Sequence, residues 1–279
     1  MALVAPAGVP SHKEADGISK LLEAWGLVPS PGEHIFAEAK HTQRLSDWQS
    51  ALDDEDTRAI WCMNGRYGSL HIVEEADYST FQGNPKWIIG MDDITVIHAK
   101  LYSLGIESLY AFTPDMRAGM TPEAIAQVRN ILFGMASDYA LPHSRHNRFG
   151  LAEGELTGGN LGWVHSLQAT RFAHHTRGTI LFVEDSTNDL DLIDKSIRCL
   201  ELSGLFQHIA GMVIGQFGEY ATPDFQEKAN NIILSAIEKY DFPACFNFPT
   251  GHRSENYPLI LGADATLSVT SETSQLCFL

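Results

Sequence analysis

Residues 85–98 have the sequence PKWIIGMDDITVIH, and this stretch determines how the rest of the chain is interpreted. Trp87–Ile89 is a short apolar run typical of a buried strand, and Ile94–Leu104 has helical composition. Only four residues separate the two. A strand that turns so tightly into a helix exposes one side chain beside the free N–H groups of the helix. The pattern predicts a nucleophile elbow with Asp92 at its tip, whereas N-capping of the helix by Asp92 or Asp93 is the alternative.

Strands and helices alternate on both sides of this elbow. Ser11 begins a helix with an S-x-x-E capping box, and Thr121-Pro122 begins another. Strand patterns occupy residues 3–5, 57–63 and 108–112. Alternating strands and helices predict a mostly parallel sheet that is covered on both faces, with sites beyond the carboxyl ends of its strands. The loops after Met63, Ile89 and Phe112 are therefore expected to meet.

The second half of the chain is richer in short strands. After a central-strand pattern at 179–183, strand patterns follow at 211–216, 244–248, 258–261, 265–269 and 276–279, and a long helix is predicted at 223–240. Residues 140–155 are polar and are predicted to be an irregular linker. We therefore predict an α/β fold with an N-terminal domain (1–140) built on a mostly parallel sheet flanked by helices, a linker (141–155) and a smaller, β-rich C-terminal domain (156–279).

Composition limits the possible partners. The 279 residues include 19 basic and 35 acidic side chains, a net charge of −16, which argues against nucleic acid or an anionic membrane surface as a partner. The four cysteines are far apart and form no CxxC pair, so buried thiols in a reducing compartment are expected. No apolar segment has the length of a membrane span, and the N-terminus lacks a leader pattern. These features predict a cytoplasmic protein.

Several loops carry residues capable of binding or catalysis. The glycine-rich loop at 64–69 could hold phosphate, could present N–H groups to an oxyanion or carboxylate, or could be a tight turn. His143 and His146 lack acidic or cysteine partners at ligand spacing, so no metal or other cofactor is predicted. Glu184-Asp185 ends a buried strand, where Asp185 could instead cap the following helix. Gly158-Gly159-Asn160 is expected to be a turn that leads into a short helix.

These motifs, taken in order, resemble the LD-carboxypeptidases, a family that includes the microcin C immunity proteins. The resemblance covers essentially the whole chain and is carried by Ala5-Pro6, the loop at 64–69, the elbow at 89–98, the run at 158–161, Glu184-Asp185 and Pro249-Thr250-Gly251-His252. It implies serine hydrolases with a Ser-His-Glu triad between two domains, commonly dimeric. Such enzymes cleave the amide before a D-amino acid in peptidoglycan peptides, or acyl-sulfamoyl adenylate-type amides in the immunity branch.

The resemblance assigns roles to individual residues. It implies His252 as the base and Glu184 as the carboxylate that orients it, which agrees with triad chemistry. The nucleophile is expected in the family's Gly-Tyr-Ser-Asp turn, but this chain has Gly90-Met91-Asp92-Asp93, so Asp92 replaces the serine. Gly65, Arg66, Tyr67 and Asp93 are implied substrate-binding residues. Two further departures are Gly65-Arg66-Tyr67 for Gly-Gly-Tyr, and Thr113-Pro114 for Gly-Pro.

The replacement at residue 92 changes the expected chemistry. A carboxylate that attacks an amide gives a reactive anhydride from which the amide readily reforms, so carboxylate nucleophiles suit other substrates. A charged Asp92 is also expected to raise the pKa of His252 and to favour an imidazolium that cannot act as a base.

Three hypotheses follow from the sequence. The protein is a catalytically silent homologue that binds a peptide or aminoacyl ligand, with Arg66 available for a carboxylate; a hydrolase in which Asp92 and His252 activate water; or an enzyme that uses Asp92 covalently on a non-amide substrate. Ser69 is a further, weaker candidate for a replacement nucleophile. A homodimer is expected from the resemblance.

Overall fold

Strands and helices alternate from the N-terminus, as the sequence predicts. The computed structural model describes residues 1–36, 38–135, 138–219 and 221–279. The strands of the first half are β1 (Ala2–Val4), β2 (Ser30–Pro31), β3 (Ala59–Cys62), β4 (Trp87–Gly90) and β5 (Ser108–Tyr110). Its helices are α1 (His12–Ala24), α2 (His41–Asp53), α3 (Ser69–Ile72), α4 (Ser79–Gly83), α5 (Thr95–Ser103) and α6 (Pro122–Leu132).

Local sequence signals fix the ends of several of these helices. Ser11 and Glu14 form the predicted capping box at the start of α1, and the Thr121 side chain accepts a hydrogen bond from the Ala124 N–H at the start of α6. At the C-terminal end of α2, the buried Lys86 ammonium donates to main-chain carbonyls, including that of Leu52 at 3.0 Å. A cation there complements the helix dipole and attaches the start of β4 to α2.

The first sheet has the strand order β11-β5-β4-β3-β1-β2, where β11 is Leu259–Leu261. β1 to β5 pair in parallel, and β11 joins β5 in the antiparallel direction. Because the carboxyl ends of β3, β4 and β5 lie at one edge, the loops that follow them meet there, as predicted. The elbow residues lie at the middle of this edge.

The remaining strands form a second sheet in the order β10-β9-β8-β7-β12-β13-β6. They are β6 (Tyr139–Pro142), β7 (Gly150–Asn160), β8 (Ile180–Asp185), β9 (Gly211–Phe217), β10 (Ala244–Phe246), β12 (Asp264–Val269) and β13 (Thr273–Phe278). α7 (Leu161–Leu167), α8 (Leu190–Leu202) and α9 (Pro223–Ile237) accompany the parallel part, β7 to β10. The predicted α/β fold, with a β-rich C-terminal part, is confirmed.

Two local predictions are wrong. The segment 140–155 is irregular only at 143–149, because β6 pairs with β13 before this loop and β7 pairs with β12 after it. Glu153 and Glu155 lie at exposed positions of β7, whereas the polar residues 143–148 lie in the loop between β6 and β7, where His146 is buried. Gly158 and Gly159 are not a turn but lie inside β7, where a Cβ at Gly158 would be 1.9 Å from the Phe182 carbonyl oxygen. Glycine is needed there for close backbone approach rather than for a bend.

None of the described helices is both long and apolar enough to cross a membrane.

Candidate active site

The elbow after β4 has the backbone of a strained turn. Asp92 has φ 58°, in the left-handed region that residues with a Cβ rarely occupy, although Asp tolerates it better than most. A single 3-10 turn, Asp92–Ile94, then leads into α5. Neither aspartate caps α5, so the capping alternative is wrong. Strain of this kind is concentrated at functional sites, and here it holds the Asp92 side chain at the edge of the sheet.

The glycine-rich loop packs directly against this elbow. A Cβ at Gly65 would lie 2.4 Å from the Met91 carbonyl oxygen and 2.8 Å from the Asp92 Cβ, and the Gly65 carbonyl accepts the Asp93 N–H at 3.3 Å. The buried Asp93 carboxylate in turn accepts the Ser69 N–H at 2.8 Å. Gly65 is therefore a close-approach residue, and Asp93 supports the loop from inside the protein.

The other predicted loop residues lie at the surface. Tyr67 is 60% exposed, and its ring stacks on Trp163 of α7 with 6.3 Å between ring centroids. Arg66 is exposed. Ser69 is fully buried at the start of α3, so its hydroxyl is closed to a ligand in this conformation.

The structure brings together the three residues to which the sequence assigns catalytic roles. His252 Nε2 lies 3.8 Å from Asp92 Oδ2 and 3.6 Å from Glu184 Oε2, and Glu184 is completely buried at the end of β8. Both distances are longer than a hydrogen bond. A Ser-His-Glu relay uses two different ring nitrogens, one toward the nucleophile and one toward the carboxylate. Here one nitrogen faces both carboxyl groups.

Tyr110, at the end of β5, connects these groups and was not predicted from the sequence. Its hydroxyl donates to Glu184 Oε1 at 2.5 Å and accepts the Asp92 N–H at 3.2 Å. The same side chain therefore fixes the elbow backbone and the buried carboxyl group. The signal available in the sequence was its position at the carboxyl end of the strand beside β4.

Burial dominates the electrostatics of the cluster. Burial and, to a smaller extent, the nearby Asp185 and Asp93 carboxyl groups raise the pKa of Asp92 to about 8. Burial also raises the pKa of Glu184 well above its usual value and lowers the pKa of His252 to about 4. The predicted imidazolium is therefore wrong. Burial disfavours the charged form of all three side chains, and an imidazole with a pKa of about 4 is neutral at pH 7.

Asp185 has a role at a different helix from the one considered in the sequence analysis. Its Oδ2 accepts the Gly162 N–H of α7 at 3.0 Å, and its Oδ1 accepts the Thr187 N–H at 2.8 Å. Asp189, not Asp185, caps α8. Asp185 therefore holds the start of α7 beside Glu184, and its charge contributes to the raised pKa of Asp92.

A cavity of about 730 Å³ opens beside His252. Its lining comes from the segment after β5, the segment after β9 and the residues that follow His252: Asp115, Met116, Gly119, Met120, Glu219, Ala221, Arg253 and Ser254. This volume is sufficient for a small peptide or an amino-acid derivative. Segments that follow the carboxyl ends of strands in both sheets contribute to this cavity, so the candidate site lies between the two sheets.

The histidines of the segment 140–155 lie elsewhere. His146 Nε2 contacts Glu227 at 3.0 Å, and the His143 ring packs on Phe149. Within the described ranges, no cluster of three or more histidine, cysteine or acidic side chains has the arrangement of a metal site.

Fold and site together define a class: α/β proteins with two sheets, in which an elbow on the first sheet faces a buried glutamate from the second and a histidine from the segment that connects the two sheets. The chain belongs to the LD-carboxypeptidase family. Residues 1–111 match the model of the LD-carboxypeptidase N-terminal domain, and residues 153–267 match that of the C-terminal domain.

Individual relatives agree over nearly the full chain. A probable murein peptide carboxypeptidase of Bacillus subtilis is 27% identical, covering 98% of this chain and 89% of the relative. A murein tetrapeptide carboxypeptidase of Pseudomonas aeruginosa is 24% identical, covering 96% of this chain and 92% of the relative. The crystal structure of a muramoyltetrapeptide carboxypeptidase from Oxalobacter formigenes superposes with a TM-score of 0.89 at 20% identity, covering 99% and 97% of the two chains. The last similarity concerns the fold.

Proposed function

We propose that this protein binds a peptidoglycan-type peptide ending in a D-amino acid in the cleft beside His252, and that Asp92 stands where the family has its nucleophilic serine. The inherited reaction is hydrolysis of the amide before that terminal residue, and we propose that it is lost or strongly reduced here. The observation that carries the proposal is the left-handed Asp92 at the elbow, 3.8 Å from His252 and beside the buried Glu184.

The chemistry of the cluster supports the loss of activity. A group with a pKa of about 8 is mostly protonated at pH 7, and a neutral carboxylic acid is a poor nucleophile toward an amide. Its ionised form would give an anhydride rather than a stable acyl-enzyme. The neutral His252 has no hydroxyl or thiol at the tip of the elbow from which to take a proton.

A second candidate function rests on the same pKa. General acid–base groups work best when their pKa lies near the operating pH, and Asp92 is close to that range. In this alternative, ionised Asp92 takes a proton from a water molecule, and the oxygen of that water attacks the amide carbon. The C–N bond then breaks, Asp92 returns the proton to the departing amine, and no covalent intermediate with the protein forms. The elevated pKa of Asp92 beside a neutral imidazole favours this candidate over covalent use of Asp92.

The two candidates are separated by measuring binding and turnover on one preparation. Calorimetry with an L,D-linked muropeptide tests binding, and release of the terminal D-amino acid tests turnover. Binding without release supports the silent homologue. Release that rises with ionisation of a group of pKa near 8, and that disappears in Asp92→Asn but not in a variant at the exposed Asp16, supports the hydrolase. No binding and no release would contradict both.

We also propose a homodimer in the cytoplasm. The family resemblance implies the dimer, and the four cysteines, all unpaired thiols in the structure, are consistent with a reducing compartment. Light scattering of the purified chain tests the dimer, and a mass corresponding to one chain would contradict it.

A further inference from the structure

Arg253 follows His252 directly and contributes to the lining of the cavity beside it. Its guanidinium is partly buried, and its Nη2 donates to the Phe217 carbonyl at 3.2 Å and to Gln226 Oε1 at 3.2 Å. Both acceptors are neutral. Within the described residues, no carboxylate lies within 4.0 Å of this guanidinium, and its Nε is buried without a hydrogen-bond partner.

Among the arginines of the described residues, Arg253 is distinguished by its place at the cavity beside His252 and by a buried Nε without a hydrogen-bond partner. The more exposed Arg145, Arg171 and Arg198 each pair with a glutamate. The half-buried Arg44 and Arg148, like Arg253, donate to neutral acceptors, but neither lines this cavity. Taking a cation out of water without a counter-charge costs free energy, and burial accordingly lowers the pKa of Arg253. The Nε of Arg253 remains without an acceptor at the edge of the cavity, and the carboxylate of a bound ligand can supply both an acceptor and a counter-charge.

We propose that Arg253 binds the terminal carboxylate of the peptide ligand. The proposal rests on the proposed function and specifies the ligand end that enters the cavity. A guanidinium matches a carboxylate with two parallel N–H···O bonds. In a peptide that is cleaved before its last residue, one Cα separates the terminal carboxylate from the reacting amide, and consecutive Cα atoms are about 3.8 Å apart. His252 and Arg253 are adjacent in one loop, so their spacing allows His252 to contact the reacting amide while Arg253 binds the terminal carboxylate.

Arg66, the other candidate cation, and Asp115, an acid of the cavity, are both consistent with this assignment. Arg66 is exposed, so a carboxylate bound there would remain hydrated and would gain little. Asp115 and Glu219 also line the cavity, and burial raises the pKa of Asp115, which reduces the negative charge that would oppose an anionic ligand.

The test measures affinity rather than turnover. Calorimetry compares an L,D-linked muropeptide with its C-terminal amide, and adds N-acetyl-D-alanine as a minimal carboxylate. The proteins are the unmodified chain, Arg253→Met, Arg253→Lys and the control Arg198→Met, which removes a paired arginine on the distant α8. We expect the unmodified chain and the control to prefer the acid by about 10- to 100-fold, the usual worth of a charged hydrogen-bonded pair. Arg253→Met should bind acid and amide equally, and Arg253→Lys should show an intermediate preference.

Each outcome decides a separate question. Equal affinity of the unmodified chain for acid and amide overturns the assignment, even if Arg253→Met fails to fold. An unchanged preference in a folded Arg253→Met also overturns it, while the proposed function stands. Arg253-dependent binding of N-acetyl-D-alanine without binding of the muropeptide would support the carboxylate site and reject the proposed function. No binding of any compound rejects both.

Discussion

Replacing Asp92 by Asn is expected to stabilise the folded protein at alkaline pH and to change its stability little near pH 4. The reason is the burial of a carboxyl group whose pKa rises from 3.8 to about 8 on folding. Asn is nearly isosteric and also tolerates the left-handed backbone at this position, so the replacement adds no new strain. The difference in unfolding free energy between the two proteins therefore measures the cost of ionising Asp92 in the folded state.

The direction of the effect follows from proton counting. Between about pH 4 and pH 8 the folded state keeps the Asp92 proton and the unfolded state has lost it, so the free energy of unfolding falls as the pH rises. The rise of the pKa of Asp92 from 3.8 to about 8 corresponds to roughly 6 kcal/mol of lost unfolding free energy above pH 8. We expect Asp92→Asn to gain about 4 to 6 kcal/mol of unfolding free energy above pH 8, because the Asp92 side chain is 28% exposed and keeps part of its hydration.

The assay is thermal unfolding at pH 4, 7 and 9 for the unmodified chain and Asp92→Asn. An unfolding entropy of about 2.1 cal/mol/K per residue over 279 residues converts the expected gain into a Tm higher by about 7 to 10 °C at pH 9. Asp16→Asn, at an exposed position of α1, is the matched control and should follow the unmodified chain. Parallel Tm curves for the unmodified chain and Asp92→Asn across this pH range would refute the burial of an elevated-pKa carboxyl group at the elbow.

Two further substitutions test how the elbow is held. Tyr110→Phe removes the hydroxyl that donates to Glu184 and accepts the Asp92 N–H, so we expect a loss of about 1.5 to 3 kcal/mol in denaturant unfolding; unchanged stability would show that these bonds contribute nothing. Gly65→Ala places a Cβ 2.4 Å from the Met91 carbonyl oxygen and should cost about 2 kcal/mol or more and weaken muropeptide binding. Gly83→Ala, whose Cβ would meet no atom within 4 Å, is the control, and equal effects of the two alanines would contradict the close-approach role.

The sequence predicted what local patterns determine. The elbow at 85–98 could be predicted because an apolar run, a glycine and a helical pattern follow one another within a few residues. The capping residues Ser11 and Thr121 could be predicted because their signals are equally local. The α/β fold followed from the alternation of these elements, and the family resemblance then placed Asp92, Glu184 and His252 at one site.

What the sequence did not predict depends on contacts between distant segments. Gly158 has the sequence pattern of a turn residue, but glycine is required there because a Cβ would lie 1.9 Å from the Phe182 carbonyl oxygen of the neighbouring strand. Tyr110 has no motif, and its role arises only because β5 ends beside both the elbow and Glu184. The pKa of His252 was predicted in the wrong direction because opposite charge was considered and burial was not. Burial also raises the pKa of Asp92, the carboxyl group that was expected to favour the imidazolium.

The central claim is that the cleft is intact and that Asp92 alone blocks the family reaction. The most direct measurement is release of the terminal D-amino acid from an L,D-linked muropeptide by the unmodified chain, by Asp92→Ser and by Asp92→Ser combined with His252→Ala. We predict little or no release by the unmodified chain, clear release by Asp92→Ser, and none by the double variant, because the restored hydroxyl needs the neutral imidazole as its base. Efficient release by the unmodified chain, or silence of Asp92→Ser in a preparation that still binds the muropeptide, would contradict the claim.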